Sequence, residues 1–342
     1  MEAITYERAA DVAGAARAAQ RPGAAFIGGG TNLLDLMKGG VARPVALIDI
    51  TRIAGLDTVE ALPDGGLRIG ALVRNSDAAD HARIRADYPL LSQALLAGAS
   101  AQLRNMATVG GNLMQRTRCP YFYDTAFAQC NKREPGSGCA AIGGHNRMHA
   151  ILGASPQCVA VNPSDMSVAL AALDAVVQVS GPRGARQIPF ESFHRLPGDR
   201  PDLDTTLAPG ELITAVDLPP PRFAGHAHYL KVRDRASYAF ALVSVAAALR
   251  MDGARIEEAR IALGGVAHKP LRATLAEQHL AGRAPTDALL HDAAALALRD
   301  ARPLDGNAFK VALAQRAIVR AVKRAAVNGA AVNGAAVNGG AA

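Results

Sequence analysis

The spacing of apolar and polar positions predicts both helices and strands in the N-terminal part of the chain. Apolar residues recur at three- and four-residue spacing over residues 6–20, which predicts a helix. Short apolar runs bounded by glycine, proline or aspartate predict strands over residues 24–27, 45–50 and 67–70. Helical spacing returns further on, over residues 76–81 and 89–99.

The pattern is lost between residues 119 and 158 and then resumes. This segment contains several glycines and three prolines, so we expect irregular structure that a covalent cross-link or a metal site must stabilise. Beyond it, the pattern predicts a helix over 165–175, helical structure over 275–326, and strands over 176–179, 212–218, 227–232, 240–251 and 255–263. Three consecutive prolines at 219–221 mark the clearest domain boundary.

Composition and charge exclude some classes of protein. Half of the 342 residues are hydrophobic, so the chain can bury a sizeable core. The formal net charge is +7, but the arginines are dispersed and no basic run is interleaved with aromatic residues. This distribution argues against nucleic-acid binding and would suit acidic partner subunits.

The sequence also bears on location. The first residues do not combine a charged region with an apolar stretch, and no apolar run approaches the roughly 20 residues that a membrane span needs. We therefore expect a soluble protein. It would be cytoplasmic, or periplasmic by co-export with a partner that carries the signal.

Two glycine-rich loops are candidates for binding phosphate. A predicted strand ends in Gly28-Gly29-Gly30, and a second loop, 108–112, has the sequence Thr-Val-Gly-Gly-Asn. Successive backbone N–H groups in such loops form an anion-binding nest. A dinucleotide-binding fingerprint with Asp49 as the ribose ligand is weakened by Leu33, which occupies the third glycine position, and a plain turn is the alternative. Together the two loops favour a diphosphate, as in FAD.

All four cysteines lie in the irregular segment, with intervals of ten, eight and eighteen residues between them. The short Cys-x2-Cys knuckles of zinc ribbons are absent. Disulfides are rare in the reducing compartment that we expect for this chain. Four thiolates suit a [4Fe–4S] cluster, while a zinc site with His145 or His149, or ordinary buried cysteines, remain alternatives.

Several stretches resemble the flavin subunit of the xanthine dehydrogenase and aldehyde oxidoreductase family of molybdenum hydroxylases. Residues 26–34 and 107–112 resemble its two FAD-binding loops. Similarity extends to the stretches that follow, namely residues 163–165, 169–175, 229–233 and 237–239. The resemblance covers nearly the whole chain apart from its C-terminal tail.

The resemblance implies an α+β fold. Residues 1–222 would form a two-subdomain FAD-binding domain of the PCMH type, which is similar to that of vanillyl-alcohol oxidase. Residues 223–326 would form an α+β C-terminal domain of the CO-dehydrogenase flavoprotein type. Residues 327–342, which repeat Ala-Ala-Val-Asn-Gly, are predicted to be a flexible low-complexity tail.

Residues 117–160 form an insertion that most members of the family lack. It resembles the insertion in the flavin subunit of periplasmic aldehyde oxidoreductase, which carries a [4Fe–4S] cluster beside its FAD. The resemblance implies that the cluster ligands are Cys119, Cys130, Cys139 and Cys158.

The resemblance also implies FAD contacts residue by residue. The first loop would hold the diphosphate through Ile27, Gly28, Gly29, Gly30, Thr31, Asn32, Leu33 and Leu34. The second loop would extend that contact through Thr108, Gly111, Asn112 and Gln115. Asp165 would bind a sugar-like hydroxyl, while Ile213 and Lys231 would lie near the isoalloxazine ring. Many relatives have Asp at the position of Asn32, and without the resemblance Lys231 would be read as a solvated strand residue.

The implied function is electron transfer within a heterotrimer. A large subunit with a molybdenum cofactor would oxidise the substrate, and a small subunit with two [2Fe–2S] clusters would pass electrons to FAD and on to an external acceptor. No catalytic residue is expected in this chain. The alternatives are a self-sufficient FAD oxidoreductase and a cluster-stapled scaffold without a functional flavin.

Overall fold

In this computed structural model, which describes residues 3–337 and the side chains of residues 3–327, three β-sheets organise the chain. The first sheet and its helices comprise β1 (Thr5–Arg8), α1 (Val12–Ala18), β2 (Ala24–Ile27), α2 (Leu33–Lys38) and β3 (Ala46–Asp49). Its three strands are parallel, in the order β1-β3-β2. The prediction of a helix from residue 6 is wrong for residues 6–8, because pairing with β3 makes them a strand.

The second sheet is antiparallel and has the strand order β4-β5-β8-β6-β7. Its strands are β4 (Val59–Ala61), β5 (Leu67–Gly70), β6 (Val176–Gly181), β7 (Gly184–Pro189) and β8 (Leu212–Leu218). The helices that accompany it are α3 (Asn75–Asp80), α4 (Ala82–Asp87), α5 (Pro89–Ala97), α6 (Ala101–Arg104), α7 (Val109–Leu113), α8 (Pro120–Tyr123), α9 (Ala140–Gly143), α10 (Asp165–Ala172) and α11 (Phe190–Phe193). The two sheets together form the two-subdomain arrangement that the sequence predicts.

The short helices α8 and α9 lie in the insertion, residues 117–160. The structure describes no other helix within these residues, and the rest of the insertion consists of turns and isolated bridges. The expectation of irregular structure in this segment is confirmed.

The third sheet forms the C-terminal domain. It consists of β9 (Ala227–Val232), β10 (Val243–Asp252), β11 (Arg255–Gly264) and β12 (Leu271–Arg272), in the antiparallel order β12-β11-β10-β9. The helices are α12 (Thr274–Leu280), α13 (Asp287–Ala297) and α14 (Phe309–Val337), and α14 packs against β9 and β10. The predicted strands 212–218 and 227–232 are confirmed at their predicted limits. No helix in the described part of the chain is long and apolar enough to cross a membrane.

Helix α14 continues beyond the predicted start of the tail. The sequence predicts a flexible segment from residue 327, whereas the structure keeps the backbone helical to Val337. Alanine has the highest helix propensity, so the alanine pairs of the repeat support a helix despite the intervening glycines and asparagines. Residues 338–342 of the predicted tail lie outside the described residues.

Helix α10 joins the second sheet to the third. All of its residues are buried, and it packs against α5 on one side and against β10 and β11 on the other. The amino end of α10 therefore lies where the FAD-binding domain meets the C-terminal domain. Backbone N–H of Tyr229 on β9 donates to Oε1 of Gln93 on α5 (2.8 Å), which strengthens the same junction.

A buried histidine supports the helix that follows the second glycine loop. His194, at the end of α11, donates from Nε2 to the carbonyl oxygen of Leu113 at the end of α7 (3.0 Å). Burial lowers the pKa of His194 to about 4 from its ordinary 6.5. The unfolded chain therefore binds more protons than the folded protein between these two pH values, and stability falls as the pH falls through this window.

We predict that His194→Gln, which retains an N–H donor but does not titrate, reduces this acid sensitivity. The free energy of unfolding of the parent should fall by about 3 kcal/mol more than that of the variant between pH 6.5 and pH 4. Denaturant unfolding of both proteins across this range measures the difference. A difference that does not change with pH would contradict the prediction.

Candidate functional site

The first glycine loop connects β2 to α2 and leaves its N–H groups available. Within residues 3–337, the backbone N–H groups of residues 29–33 have no hydrogen-bond acceptor, although the loop is half-buried. Gly30 has φ +69°, in the left-handed region that favours glycine. A Cβ atom on Gly29 would fall on the carbonyl oxygen of Met106, so this position admits only glycine. The loop thus presents a nest of free donors, which suits an anion.

The second loop lies directly against the first. Thr108 caps α7 by accepting a hydrogen bond at Oγ1 from the N–H of Gly111 (3.2 Å). Backbone N–H of Gly110 donates to the carbonyl of Ala71 (2.8 Å), which holds the loop against the segment after β5. The threonine side chain would lie 3.3 Å from a Cβ on Gly28, so the two loops form one surface.

The second loop is linked by its side chains to the start of α10. Oδ1 of Asn112 accepts hydrogen bonds from Nε2 of Gln115 (2.6 Å) and from the hydroxyl of Ser164 (2.7 Å). Ser164 caps α10 by accepting from the N–H of Ser167 (3.0 Å). The structure therefore brings together two residues that the sequence predicts separately, Asn112 and Gln115, and places them next to Asp165.

Asp165 is the centre of a buried ion pair between the two domains. Its Oδ2 accepts from Nζ of Lys231 (2.7 Å), and its Oδ1 accepts from the hydroxyl of Tyr229 (2.7 Å). Lys231 also donates to the carbonyl of Ala97 (3.0 Å). Burial, together with the charge of Asp165, raises the pKa of Tyr229 well above its usual value, so the phenol remains a donor. Asp165 and Lys231, predicted as separate flavin contacts, are thus direct partners, and Lys231 is no solvated strand residue.

A cavity of about 120 Å³ opens beside this ion pair. Its wall includes Cys119 and His149 of the insertion, Ser164 and Asp165 at the start of α10, Phe240 and Ser244 near the start of β10, and Gly265 after β11. Ile213 does not line this cavity; it is packed in the core beneath the second sheet. One cysteine of the insertion and one predicted FAD contact therefore share a wall.

The four cysteines are free thiols and mutual neighbours. Cys130 faces Cys139 across an antiparallel bridge. The thiols of Cys158 and Cys139 are hydrogen-bonded, which lowers the pKa of Cys139 and raises that of Cys158. Burial raises the pKa of Cys119 to about 11, and the nearby Cys130 and Cys139 contribute in the same direction. Four free thiols are thus brought close together from across the insertion.

The surroundings of these thiols suit thiolate ligands. Backbone N–H groups donate to Cys119 from Tyr121 and Phe122, to Cys139 from Ala141, Ile142 and Val159, and to Cys158 from Ala160. Such N–H···S hydrogen bonds stabilise the anionic form and tune the potential of iron–sulfur clusters. Nε2 of His149 also lies 3.1 Å from Sγ of Cys119.

The Cys, His, Asp and Glu side chains available as ligands bear on which kind of metal site is possible here. In the part of the chain that the structure describes, no group of three or more Cys, His, Asp or Glu side chains surrounds a point that a single metal ion could occupy. A cubane cluster is larger than one ion, so its four ligand sulfurs need not converge on a point. His145, the other zinc candidate, is exposed. Four neighbouring thiols are the donor set that a four-thiolate cluster requires, so the residues present are compatible with such a cluster.

Sequence reasoning missed the charges that fasten the insertion to the rest of the protein. Asp204 pairs with the buried Lys132 of the insertion and accepts from Nε of Arg116 (2.7 Å). Burial alone would raise the pKa of Asp204, but His268, Lys132 and Arg116 together hold it well below its usual range. No spacing motif joins these residues, so only the folded chain reveals the network. Asp49 binds Tyr6, Arg8 and the N–H of Thr51, which is a structural role.

Two family models match the chain. One, described as the FAD binding domain in molybdopterin dehydrogenase, matches residues 2–221. The other, the CO dehydrogenase flavoprotein C-terminal domain, matches residues 228–325.

Individual proteins agree with these matches. The chain is 54% identical over 329 residues to the aldehyde oxidoreductase FAD-binding subunit of Escherichia coli strain K12, covering 95% of this chain and 99% of the relative. It is 29% identical to the glyceraldehyde dehydrogenase medium chain of Sulfolobus acidocaldarius, over 78% of this chain and 77% of the relative.

The fold is similar to that of solved structures. A chain of the Hydrogenophaga pseudoflava carbon monoxide dehydrogenase that lacks the Mo-pyranopterin moiety of its molybdenum cofactor superposes with a TM-score of 0.75 at 25% identity, covering 96% of this chain and 98% of that one. The α+β fold with a flavoprotein C-terminal domain is therefore confirmed. The chain belongs to the family of FAD-binding medium subunits of molybdenum hydroxylases, and it is a subunit of a molybdenum-dependent oxidoreductase.

Proposed function

We propose that the chain is the FAD- and [4Fe–4S]-carrying electron-transfer subunit of a heteromeric molybdenum-cofactor aldehyde oxidoreductase. The observation that carries the proposal is the shared wall of one cavity, where Cys119 of the insertion and Asp165 of the flavin domain lie together. The aldehyde class is supported by the 54% identity to an aldehyde oxidoreductase subunit over nearly the whole of both chains.

The two glycine loops would bind the diphosphate of FAD. The free N–H groups of residues 29–33 offer donors to phosphate oxygens, and the cap of Thr108 fixes the neighbouring loop. Asp165 and Lys231 would keep a fixed dipole at the cavity wall, where the carboxylate is held by two donors. When bound, FAD supplies the exchange between one-electron and two-electron chemistry.

The four cysteines would hold the [4Fe–4S] cluster. Cys119 lines the cavity, whereas Cys130 and Cys158 are buried within the insertion. This placement supports a cluster that exchanges single electrons across the cavity wall, rather than one that only staples the insertion. The ion pairs of Asp204 with Lys132 and Arg116 already fasten the insertion without a cluster.

The partners follow from the family. The chain would assemble with a large molybdenum-cofactor subunit and a small [2Fe–2S] subunit, and it would deliver electrons to an external acceptor. Its own residues bind and position cofactors; the buried carboxylate in the cavity wall, Asp165, is already paired and is not proposed as a base. If the complex works in the periplasm, we propose co-export with a signal-bearing partner.

We predict that Gly29→Ala removes FAD and leaves iron in place. The new Cβ would fall on the carbonyl oxygen of Met106, so the loop must move and lose N–H contacts to phosphate. Losing two such charge-assisted contacts costs about 3 kcal/mol, or roughly 100-fold in FAD affinity. Flavin and iron content of the purified complex measure the effect.

The matched control is Gly225→Ala. No atom lies within 4 Å of a Cβ at Gly225, and its φ is not in the left-handed region, so this variant should keep its flavin. Full flavin occupancy in Gly29→Ala would show that the first loop is not the diphosphate site.

The cysteines give a further prediction. Cys139→Ser should lose most of the iron and acid-labile sulfide while it retains FAD, because a neutral hydroxyl replaces one of four thiolate ligands. His145→Ala serves as the control and should keep its iron, since the exposed imidazole has no place in a four-cysteine site. If the parent protein contained zinc instead of iron, and both variants lost that zinc, the result would contradict the cluster.

A further inference from the structure

Lys310 on α14 is a buried cation that the proposed function does not yet use. Its side chain is fully buried, and its Nζ donates to the carbonyl oxygens of Gly265 (2.6 Å), His149 (2.8 Å) and Met148 (3.4 Å). Among the side chains that the structure describes, no carboxylate lies within ion-pair distance of this nitrogen. The lysine thus differs from Lys231, whose charge is matched by Asp165.

The hydrogen bonds favour the charged form of this lysine. Three carbonyl acceptors match the three N–H donors of an ammonium group, whereas a neutral amine has only two. Burial lowers the pKa of Lys310 to about 7, and the charge of Arg147 acts in the same direction. Buried charges in proteins are ordinarily paired, so an anion nearby would remove the cost of this arrangement.

The position of Lys310 indicates where such an anion would lie. All three residues whose carbonyls it binds, Met148, His149 and Gly265, line the cavity beside Asp165. The imidazole of His149 contacts Sγ of Cys119 (3.1 Å) on the same wall. Lys310 therefore lies directly behind the part of the cavity wall that contains His149 and Cys119.

We propose that Lys310 is the buried counter-charge for the negative charge that reduction places on the cofactors at this wall. The inference rests on the proposed function, since it needs an FAD or a four-thiolate cluster there. Reduction would add negative charge to either group, and the three carbonyl acceptors favour the protonated form of Lys310 that would face it. A fixed positive charge at this point stabilises the reduced state and raises the reduction potential.

The test compares two substitutions in the assembled complex. Lys310→Met removes the charge at similar length. Asn307→Leu is the matched control, because Asn307 is also fully buried and donates from Nδ2 to the carbonyls of His149 and Ala150 (both 3.2 Å), but carries no charge. Reductive titration should follow the flavin by absorbance and the cluster by electron paramagnetic resonance.

We expect Lys310→Met to lower the reduction potential of at least one cofactor, while Asn307→Leu leaves both potentials unchanged. A shift of the cluster alone would assign the counter-charge to the cluster, and a shift of the flavin alone would assign it to FAD. Unchanged potentials in Lys310→Met, or an equal shift in Asn307→Leu, would overturn the proposal.

Folding is a separate readout. The proposal predicts that the apo-chain tolerates Lys310→Met, because that change removes an uncompensated buried charge. Lys310→Gln, which keeps two N–H donors, is the second variant. If neither variant folds, Lys310 serves the fold and the proposal is wrong. If the parent complex itself contains no flavin or iron, the proposed function fails, which is a distinct result.

Discussion

The buried ion pair between Asp165 and Lys231 is the interaction on which the site depends. It joins the first turn of α10 to the end of β9, so one carboxylate holds the flavin domain against the C-terminal domain. Both side chains are less than a tenth exposed, and Tyr229 supplies a second donor to the same carboxylate. Breaking a buried pair leaves one charge uncompensated, at a cost of about 3–5 kcal/mol.

Three separate stretches of chain, the two glycine loops and the insertion, meet around this pair, and different interactions hold each of them there. The glycine loops approach each other because Gly29 has no side chain, which lets two backbones touch. The insertion is drawn to the cavity by ion pairs to Asp204 and by the buried Lys310. The result is a site in which Cys119, a proposed cluster ligand, and Asp165, a proposed flavin contact, face the same small space.

Much of the fold could be predicted from the sequence, because apolar periodicity reports burial locally. The strands 212–218 and 227–232 have their predicted limits, whereas residues 6–8 form a strand only through pairing with β3. The glycine loops and the cysteines were found from composition and spacing. The pairing of Asp165 with Lys231, and the burial of Lys310, arise from residues distant in sequence that no local pattern connects.

The central claim is that one chain holds both a flavin and a four-iron cluster. The most direct measurement is the absorption spectrum of anaerobically purified protein before and after dithionite, with assays of iron and acid-labile sulfide. We expect flavin bands and a broad visible shoulder that both bleach, with iron and sulfide in the proportion of a [4Fe–4S] cluster. Flavin without iron would contradict the cluster and leave the cysteines as structural thiols or zinc ligands.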